Sequence, residues 1–162
     1  MPEKFHIDRI DRKILAVLQD DGRITNHKLA DCVSLSPSAC LARVKRMEKN
    51  GVITGYKAQV DVAKLGQTLT IFAELTISAH DTTSRRKIEN TLQEMNAAIE
   101  AYRVSGSYDY LVKFLVADME NWTAIADKLN DGELQIETIR TVPSMRRIKN
   151  WTGVPMFAGH EK

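Results

Sequence analysis

The sequence has little of what marks fibrous, membrane-spanning or disulfide-rich proteins. It contains only two cysteines, Cys32 and Cys40, with no C-x-x-C pair, which argues against a disulfide framework and a zinc site. Glycine (8) and proline (4) are too scarce for a fibrous or disordered chain. No apolar run approaches the roughly 18 residues that span a bilayer, and the first residues lack the apolar core of a signal peptide. We therefore expect a folded cytoplasmic protein with no metal, cofactor or membrane partner.

The small net charge of +2 hides an asymmetry along the chain. Residues 1–60 hold 11 Lys and Arg against 7 Asp and Glu, a net charge of +4. Residues 61–162 hold 12 against 14, a net charge of −2. A basic segment beside a mildly acidic remainder is typical of a protein in which one part binds a polyanion. An excess of four positive charges is common among proteins, so by itself it is weak evidence for nucleic-acid binding.

The first sixty residues predict three helices. Apolar residues at helical spacing place the first helix after the capping residue Asp8 and the second after Thr25 or Asn26. The third begins with Ser36 as N-cap and Pro37 at the first helical position, and it ends before Gly51. The β-branched segment "VITGYKAQV", residues 52–60, predicts a short strand pair. These elements together predict a winged helix-turn-helix domain over residues 1–60.

The third predicted helix has two different sides. Cys40, Val44 and Met47 recur at helical spacing and predict an inward-facing stripe. The opposite side is small and polar at its beginning and basic further on. A solvated charged face is the alternative interpretation, and outside a helix-turn-helix it would be preferred. In this context the pattern favours DNA contact. The residues expected to reach bases or phosphates are Ser36, Ser38, Ala39, Arg43 and Arg46. The residues expected to reach phosphates only are Lys45 and Lys49, with Lys28 and Lys57 nearby.

After a linker over residues 61–68, the pattern changes to that of an α+β domain over residues 69–162. Alternating apolar residues predict strands, and apolar residues at helical spacing predict helices between them. The order is β-α-β-β-α-β, the ferredoxin-like unit. The predicted elements are a strand at Leu69–Ile77, a helix that begins near Thr82–Ser84, strands at Ile99–Val104 and Tyr108–Val116, a helix around Trp122–Leu129 and a strand at Ile136–Val142.

The third predicted strand of this domain is apolar on both faces. Val112 and Phe114 point to one side, and Leu111 and Leu115 point to the other. Two helices cover only one face of a four-stranded sheet, so apolar residues on the other face imply a partner. We expect the sheet to form a homodimer.

Four segments in this order resemble the Lrp/AsnC (leucine-responsive regulatory protein) family of transcriptional regulators. They are "IDRIDRKILAVLQDDGRIT", "LSPSACLARVKRMEKNGVITGY", "VSGSYDYLVKFLVADMENW" and "RRIKNWTGVP". The resemblance implies an N-terminal domain that binds double-stranded DNA, a C-terminal domain that senses an amino acid, and dimers that often assemble into octamers.

The resemblance also implies an effector site between dimers, near the loop that joins the second and third strands. Residues carried over to that site are Gly106, Ser107, Tyr108, Asp109, Met119, Trp122 and Thr141. Asp109 is the first choice for binding an α-ammonium group, although a turn residue that accepts local N–H groups is the simpler interpretation. The last strand departs from the family because Ile139 stands where relatives often have a hydroxyl residue.

Two other functions remain as alternatives. Some proteins on this two-domain scaffold decarboxylate tetrapyrroles of the sirohaem type with His and Arg residues, but no constellation of histidines is evident in the sequence. A stand-alone effector-binding module is disfavoured by the complete first domain. We expect a regulator that is not an enzyme. The tail around Trp151 is expected to pack on the effector domain or across a subunit boundary.

Overall fold

The computed structural model describes residues 5–156. These residues form two compact units, one of residues 5–59 with 149–156 and one of residues 60–148. Within the described range, no helix is long and apolar enough to cross a bilayer. The elements are α1 (Arg9–Asp20), α2 (Asn26–Cys32), α3 (Pro37–Lys49), a short 3-10 helix (Val62–Lys64), β1 (Leu69–Ile77), α4 (Thr82–Glu94), β2 (Ala98–Arg103), β3 (Tyr110–Val116), α5 (Met119–Leu129) and β4 (Ile136–Pro143).

The three helices of the first unit begin at the residues that the sequence predicts. The Asp8 carboxylate accepts the Asp11 N–H, and the Asp11 carboxylate accepts the Asp8 N–H, so α1 starts with a reciprocal capping box. The Thr25 hydroxyl caps α2, and the Ser36 hydroxyl caps α3 by accepting the Ala39 N–H at 3.3 Å. These caps confirm the predicted helix starts.

Residues with a positive φ angle lie just before and just after α3. Ser34, in the turn between α2 and α3, has φ +57°, and Gly51, after the helix, has φ +68°. Only glycine adopts such a conformation without steric cost, so Gly51 ends the helix as predicted, whereas Ser34 is strained. Between these limits Cys40, Val44 and Met47 are buried against α1 and α2, which confirms the predicted inward stripe.

The expected strand pair over residues 52–60 is not formed. Those residues adopt turn and irregular conformations, and nearly all of them are exposed. A hairpin with strands of three or four residues and no third strand beside it is marginal, because it buries too little surface to offset its ordering. The helix-turn-helix is therefore confirmed, and the prediction of a β wing is wrong for this segment.

The second unit is the predicted ferredoxin-like βαββαβ arrangement. Its four strands lie in the order β2-β3-β1-β4, and each neighbouring pair is antiparallel. Residues 71, 73, 75 and 77 of β1 and residues 110, 112, 114 and 116 of β3 are buried in one core. Ile88 of α4 and Trp122 of α5 complete this core, so both helices cover the same face of the sheet.

The other face of the sheet carries partly exposed apolar side chains between two cross-strand ion pairs. The register aligns Phe72 with Lys113 and places Leu111 and Leu115 on the same face, which confirms that β3 is apolar on both sides. Lys113 binds Glu100 at 2.5 Å and Arg140 binds Glu74 at 3.2 Å. This surface, residues 72, 111, 113 and 115 with their charged neighbours, is called the open face below.

The segment after β4 lies with the first unit, whereas the sequence predicted that it packs on the effector domain or across a subunit boundary. The Gln19 side chain on α1 forms two hydrogen bonds with Val154: its amide N–H donates to the carbonyl, and its carbonyl accepts the backbone N–H at 2.7 Å. Arg12 donates to the Met156 carbonyl at 3.2 Å. Gly153 has φ +92°, a backbone conformation that favours glycine, and a Cβ there would lie 2.5 Å from the Gln19 Oε1. The chain thus returns to α1 after the last strand.

Candidate DNA-binding surface and effector site

The outer surface of α3 is exposed from its first residue to its last. The leading end is small and polar: the Ser36 and Ser38 hydroxyls lie 3.2 Å apart, and Ala39 beside them is exposed. Lys45 and Lys49 extend the exposed surface toward the C-terminal end of the helix. This side can therefore present a small polar end to base edges or phosphates and two cations to phosphates.

The sequence predicted that Arg43 and Arg46 extend outward toward DNA. In the structure both side chains bind carboxylates of α1 instead. Arg43 Nη1 lies 2.6 Å from Asp8 Oδ2 and 2.9 Å from Asp11 Oδ1, and Arg46 Nη2 lies 2.7 Å from Asp11 Oδ2. The Asp11 side chain is 0% exposed, Arg43 is 27% exposed and Arg46 is 47% exposed. A buried carboxylate must be paired, which explains why both guanidinium groups turn toward α1. We call Asp8, Asp11, Arg43 and Arg46 the carboxylate clamp.

The clamp changes the acidity of Asp8 and Arg43. The Asp11 N–H and, after a partial opposing effect of desolvation, the Arg43 guanidinium lower the pKa of the Asp8 carboxyl below its usual value. In turn, hydrogen bonds to Asp8 and Asp11 raise the pKa of Arg43. The Arg46 guanidinium also lies over the Phe5 ring, 5.1 Å from its centre. The contacts of Asp8 and Arg43 favour the charged forms of these two groups.

The loop between β2 and β3 is fastened to the end of β1 by Asp109. One oxygen of its carboxylate accepts the Ile77 N–H at 2.9 Å, and the other lies 3.4 Å from His80 Nδ1. The Asp109 N–H donates to the Leu75 carbonyl at 2.9 Å. The local role expected as the simpler interpretation is therefore present, and 25% of the side chain remains exposed.

A cavity of about 210 Å³ opens beside Asp109. Arg85 of α4 and Arg103 at the end of β2 supply two guanidinium groups to its wall, and Glu89 lies 3.7 Å from Arg103. Tyr110 donates its hydroxyl to Glu89 at 3.2 Å. Desolvation, followed by the nearby Glu89 charge, raises the pKa of Tyr110 above its usual value, so this hydroxyl stays neutral. The cavity offers cationic groups suited to a carboxylate together with one carboxylate, Asp109, on the same wall.

The remaining residues expected at the effector site do not join this cavity. Trp122 is 3% exposed, packs on Phe114 with ring centroids 5.1 Å apart, and donates its indole N–H to Thr141 Oγ1 at 3.1 Å. Within one chain, the Trp122 ring therefore belongs to the core and its polar group is bound to Thr141, and its place in the effector site stays a prediction. Met119 is exposed, but it follows the opposite end of β3 from Asp109, about 20 Å away along the strand. Gly106 and Ser107 are exposed, and Tyr108 is partly buried, in the loop itself.

Comparison with known proteins identifies both units. Residues 7–54 match winged helix-turn-helix DNA-binding domains, and residues 70–154 match the Lrp/AsnC ligand binding domain. The leucine-responsive regulatory protein of Klebsiella pneumoniae is 42% identical over 88% of this chain and 87% of its own length. The chain belongs to the Lrp/AsnC family. It is a transcriptional regulator with an N-terminal helix-turn-helix and a C-terminal ligand-binding domain, and the tetrapyrrole decarboxylase alternative is not favoured.

Solved structures of Lrp/AsnC regulators share the architecture of this chain. An AsnC family transcriptional regulator from Agrobacterium tumefaciens superposes with a TM-score of 0.86 at 31% identity, over 92% of this chain and 97% of that one. A transcriptional regulator from Neisseria meningitidis, solved in complex with L-Met, superposes with a TM-score of 0.86 at 26% identity, over 94% of this chain and 98% of that one. The second structure shows an amino acid bound to a protein of closely similar fold.

Sequence reasoning missed three side chains around the loop of this Lrp/AsnC protein. Arg85, Arg103 and His80 come from three different segments, and only the sheet order brings them beside Asp109. No motif or spacing within one element signals this meeting. The signal for the clamp, by contrast, was present in the sequence: Asp11 lies on the same helical stripe as Ile7 and Ile14, where an acid requires a buried partner.

The lowered pKa of Asp8 predicts an acid-sensitive contribution to stability. Asparagine caps a helix as well as aspartate does, so Asp8→Asn removes mainly the charge that faces Arg43. A carboxyl with a lowered folded-state pKa stabilises the fold above its unfolded pKa of about 3.9, and this stabilisation is lost as pH falls through the folded pKa. We expect Asp8→Asn to lower the free energy of unfolding by about 0.5–1 kcal/mol at pH 7, because the pair is partly exposed, and by a smaller amount at pH 2.5.

Urea unfolding followed by far-UV circular dichroism measures this difference. Asp20→Asn is the matched control, because Asp20 is exposed at the C-terminal end of the same helix, where a carboxylate is not favoured by the helix dipole. An equal loss of stability by Asp8→Asn at both pH values would contradict a role for its charge.

Proposed function

We propose that this protein binds specific DNA sequences through α3 and changes its binding when an amino acid occupies the cavity beside the β2–β3 loop. The observation that carries the first part is the exposed outer surface of α3, which is small and polar at its start and cationic behind, in a helix-turn-helix. Such a helix lies in the major groove with its N-terminal residues at the base edges. The second part follows from the ligand-binding unit and its cationic cavity.

On the DNA side, we divide the roles differently from the sequence prediction. Ser36, Ser38 and Ala39 form the end that approaches bases and phosphates. Lys45 and Lys49 bind phosphates, with Lys28 and Lys57 as further cations. Arg43 and Arg46 act through their contacts with α1, where Nη1 of Arg43 binds Asp8 and Asp11 and Nη2 of Arg46 binds Asp11.

On the effector side, the cavity accounts for both ends of an amino acid. The guanidinium groups of Arg85 and Arg103 are suited to the α-carboxylate. Asp109 keeps acceptor capacity beyond its bonds to Ile77 and His80 and can bind the α-ammonium. The L-Met complex of the Neisseria meningitidis regulator supports an amino acid as the effector class.

Two features of the second unit support the formation of homo-oligomers. The open face presents Phe72, Leu111 and Leu115 as a sheet surface that a second copy can cover, with ion pairs at its border. Met119 is too far from Asp109 to share a site within one chain, so a site that uses both requires a second chain. We infer a homodimer and a higher assembly of dimers, such as an octamer.

A regulator without enzymatic activity fits these observations best. The relatives described above are regulators, and His27 and His80 each face a carboxylate at the surface instead of forming a shared constellation. A protein that works on chromosomal DNA would act in the cytoplasm of a bacterium, the kind of organism from which those relatives come.

The DNA-binding part is tested by in vitro selection from a random duplex pool, followed by affinity measurements on the selected site at several salt concentrations. Each phosphate contact releases counterions, so we expect Lys45→Gln and Lys49→Gln each to reduce the slope of log affinity against log salt by about 0.9. Lys87→Gln is the matched control, because Lys87 is half exposed on α4 and binds Glu133. Failure to select any sequence, or slopes unchanged in both variants, would refute the proposal.

The effector part is tested by a thermal-shift screen with the twenty amino acids. We expect at least one to raise the melting temperature of the wild type and Arg103→Gln to abolish that rise, because the variant loses a cation from the cavity. Arg86→Gln is the control, because Arg86 neighbours Arg85 but lies exposed outside the cavity lining. A full response in Arg103→Gln would place the site elsewhere, and no response in the wild type would exclude an amino acid as the effector.

A further inference from the structure

Asp11 is the most completely enclosed charged group in the described part of the chain. Its side chain is 0% exposed, and Asp11 is the one buried polar or charged residue within residues 5–156. Oδ1 accepts from Arg43 at 2.9 Å, and Oδ2 accepts from Arg46 at 2.7 Å and from the Asp8 N–H at 3.2 Å. These donors satisfy both oxygens, which allows the carboxylate to remain charged inside the unit.

Both cationic partners of Asp11 come from one turn of the recognition helix. Arg43 and Arg46 are three residues apart, so their side chains leave the same side of α3. Each binds a different oxygen of Asp11, and Arg43 also binds Asp8 at the start of α1. Charge-assisted bonds to two separate oxygens are directional, so they fix both the rotation of α3 about its axis and its position along α1.

The apolar contacts of α3 do not supply this restraint. Cys40, Val44 and Met47 pack by burial, which is proportional to area and has no preferred direction. A shift of α3 relative to α1 would move the leading end of the helix. At a DNA groove, however, a shift of about 1 Å breaks hydrogen bonds to base edges, since these operate only over 2.7–3.2 Å.

We propose that Asp11 is a positioning residue for DNA recognition. It acts through Arg43 and Arg46 to hold the orientation of α3, and so of Ser38 and Ala39, against the base edges. The proposal rests on the proposed DNA-binding role of α3.

The same geometry removes the two arginines from the charge that attracts DNA. Within the clamp, two carboxylates offset two guanidinium groups, so the cluster carries no net charge toward the phosphates. Lys45 and Lys49 on the outer side are not part of it. Loss of Asp11 should therefore affect sequence selectivity, whereas loss of a lysine should affect electrostatic affinity for all DNA.

The test compares Asp11→Asn with Lys45→Gln on two duplexes of equal length, the in vitro selected site and a random sequence, at several salt concentrations. Asparagine keeps the size of the side chain but removes the charge that holds both arginines. We expect Asp11→Asn to weaken binding to the selected site by about tenfold relative to the random sequence, comparable to one mismatched base pair. It should not reduce random-sequence affinity or the salt slope, because the clamp then carries one net positive charge. Lys45→Gln should instead weaken binding to both duplexes and reduce the slope.

The outcomes separate positioning from simple stability and from failure of the proposed function. Asp11→Asn with a lower melting temperature but an unchanged selectivity ratio, measured where it is fully folded, would overturn the proposal. Unchanged slopes in Lys45→Gln and Lys49→Gln would instead count against the DNA-binding surface.

If Asp11→Asn does not fold, Arg46→Lys and Arg46→Gln replace it, because Arg43 remains on Asp11 in both. Lysine retains a cation beside Asp11 and should keep more of the selectivity ratio than glutamine does. Equal selectivity in the two variants would overturn the proposal.

Discussion

The DNA-binding unit depends on one buried carboxylate between two helices. Three short helices of 12, 7 and 13 residues bury a limited apolar surface, and helices of this length gain most of their stability from packing. Asp11 adds a directional restraint to that packing, because it can remain buried only while Arg43 and Arg46 reach it. The capping box of α1 and the orientation of α3 are therefore parts of one hydrogen-bonded network. The tail bound to Gln19 and Arg12 adds further contacts to the same helix.

The ligand-binding unit follows a different logic, in which the sheet assembles groups that are distant in sequence. The order β2-β3-β1-β4 brings the β2–β3 loop to the end of β1, where Asp109 joins the Leu75 and Ile77 backbone. The cavity that results contains two arginines from neighbouring elements. At the opposite end of β3, Met119 begins α5. The unit therefore presents two separate surfaces, the cavity beside Asp109 and the region around Met119. In the proposed assembly, copies of the chain bring these two surfaces together.

The sequence predicted those elements whose signals are local. Strand β1 has the predicted bounds of Leu69 and Ile77, because its apolar and polar residues alternate without interruption. The start of α3 was predictable from Ser36 and Pro37, since caps act within three residues. The strand pair over residues 52–60 failed, because β-branched composition does not supply a third strand to pair with.

The candidate site was harder to predict because its contacts join distant segments. On a helical wheel, Arg43 and Arg46 lie at the border between the buried and exposed sides of α3. Their positive charge, taken alone, favours contact with DNA. Only the position of Asp11 on the inward stripe of α1 could have predicted their buried partner. The Trp122 hydrogen bond to Thr141 has no such signal, because it depends on how α5 lies across the sheet.

In the proposed DNA complex, Arg43 and Arg46 stay bound to the carboxylates of α1 and do not contact DNA. Nuclear magnetic resonance of the guanidinium groups in arginine-labelled protein tests it most directly, since rotation about the Nε–Cζ bond slows when a guanidinium is held by carboxylates. We expect slowed rotation of Arg43 and Arg46 in the free protein and little change in their resonances when selected DNA is added. Freely rotating Arg43 and Arg46 groups that become ordered only on DNA would contradict it.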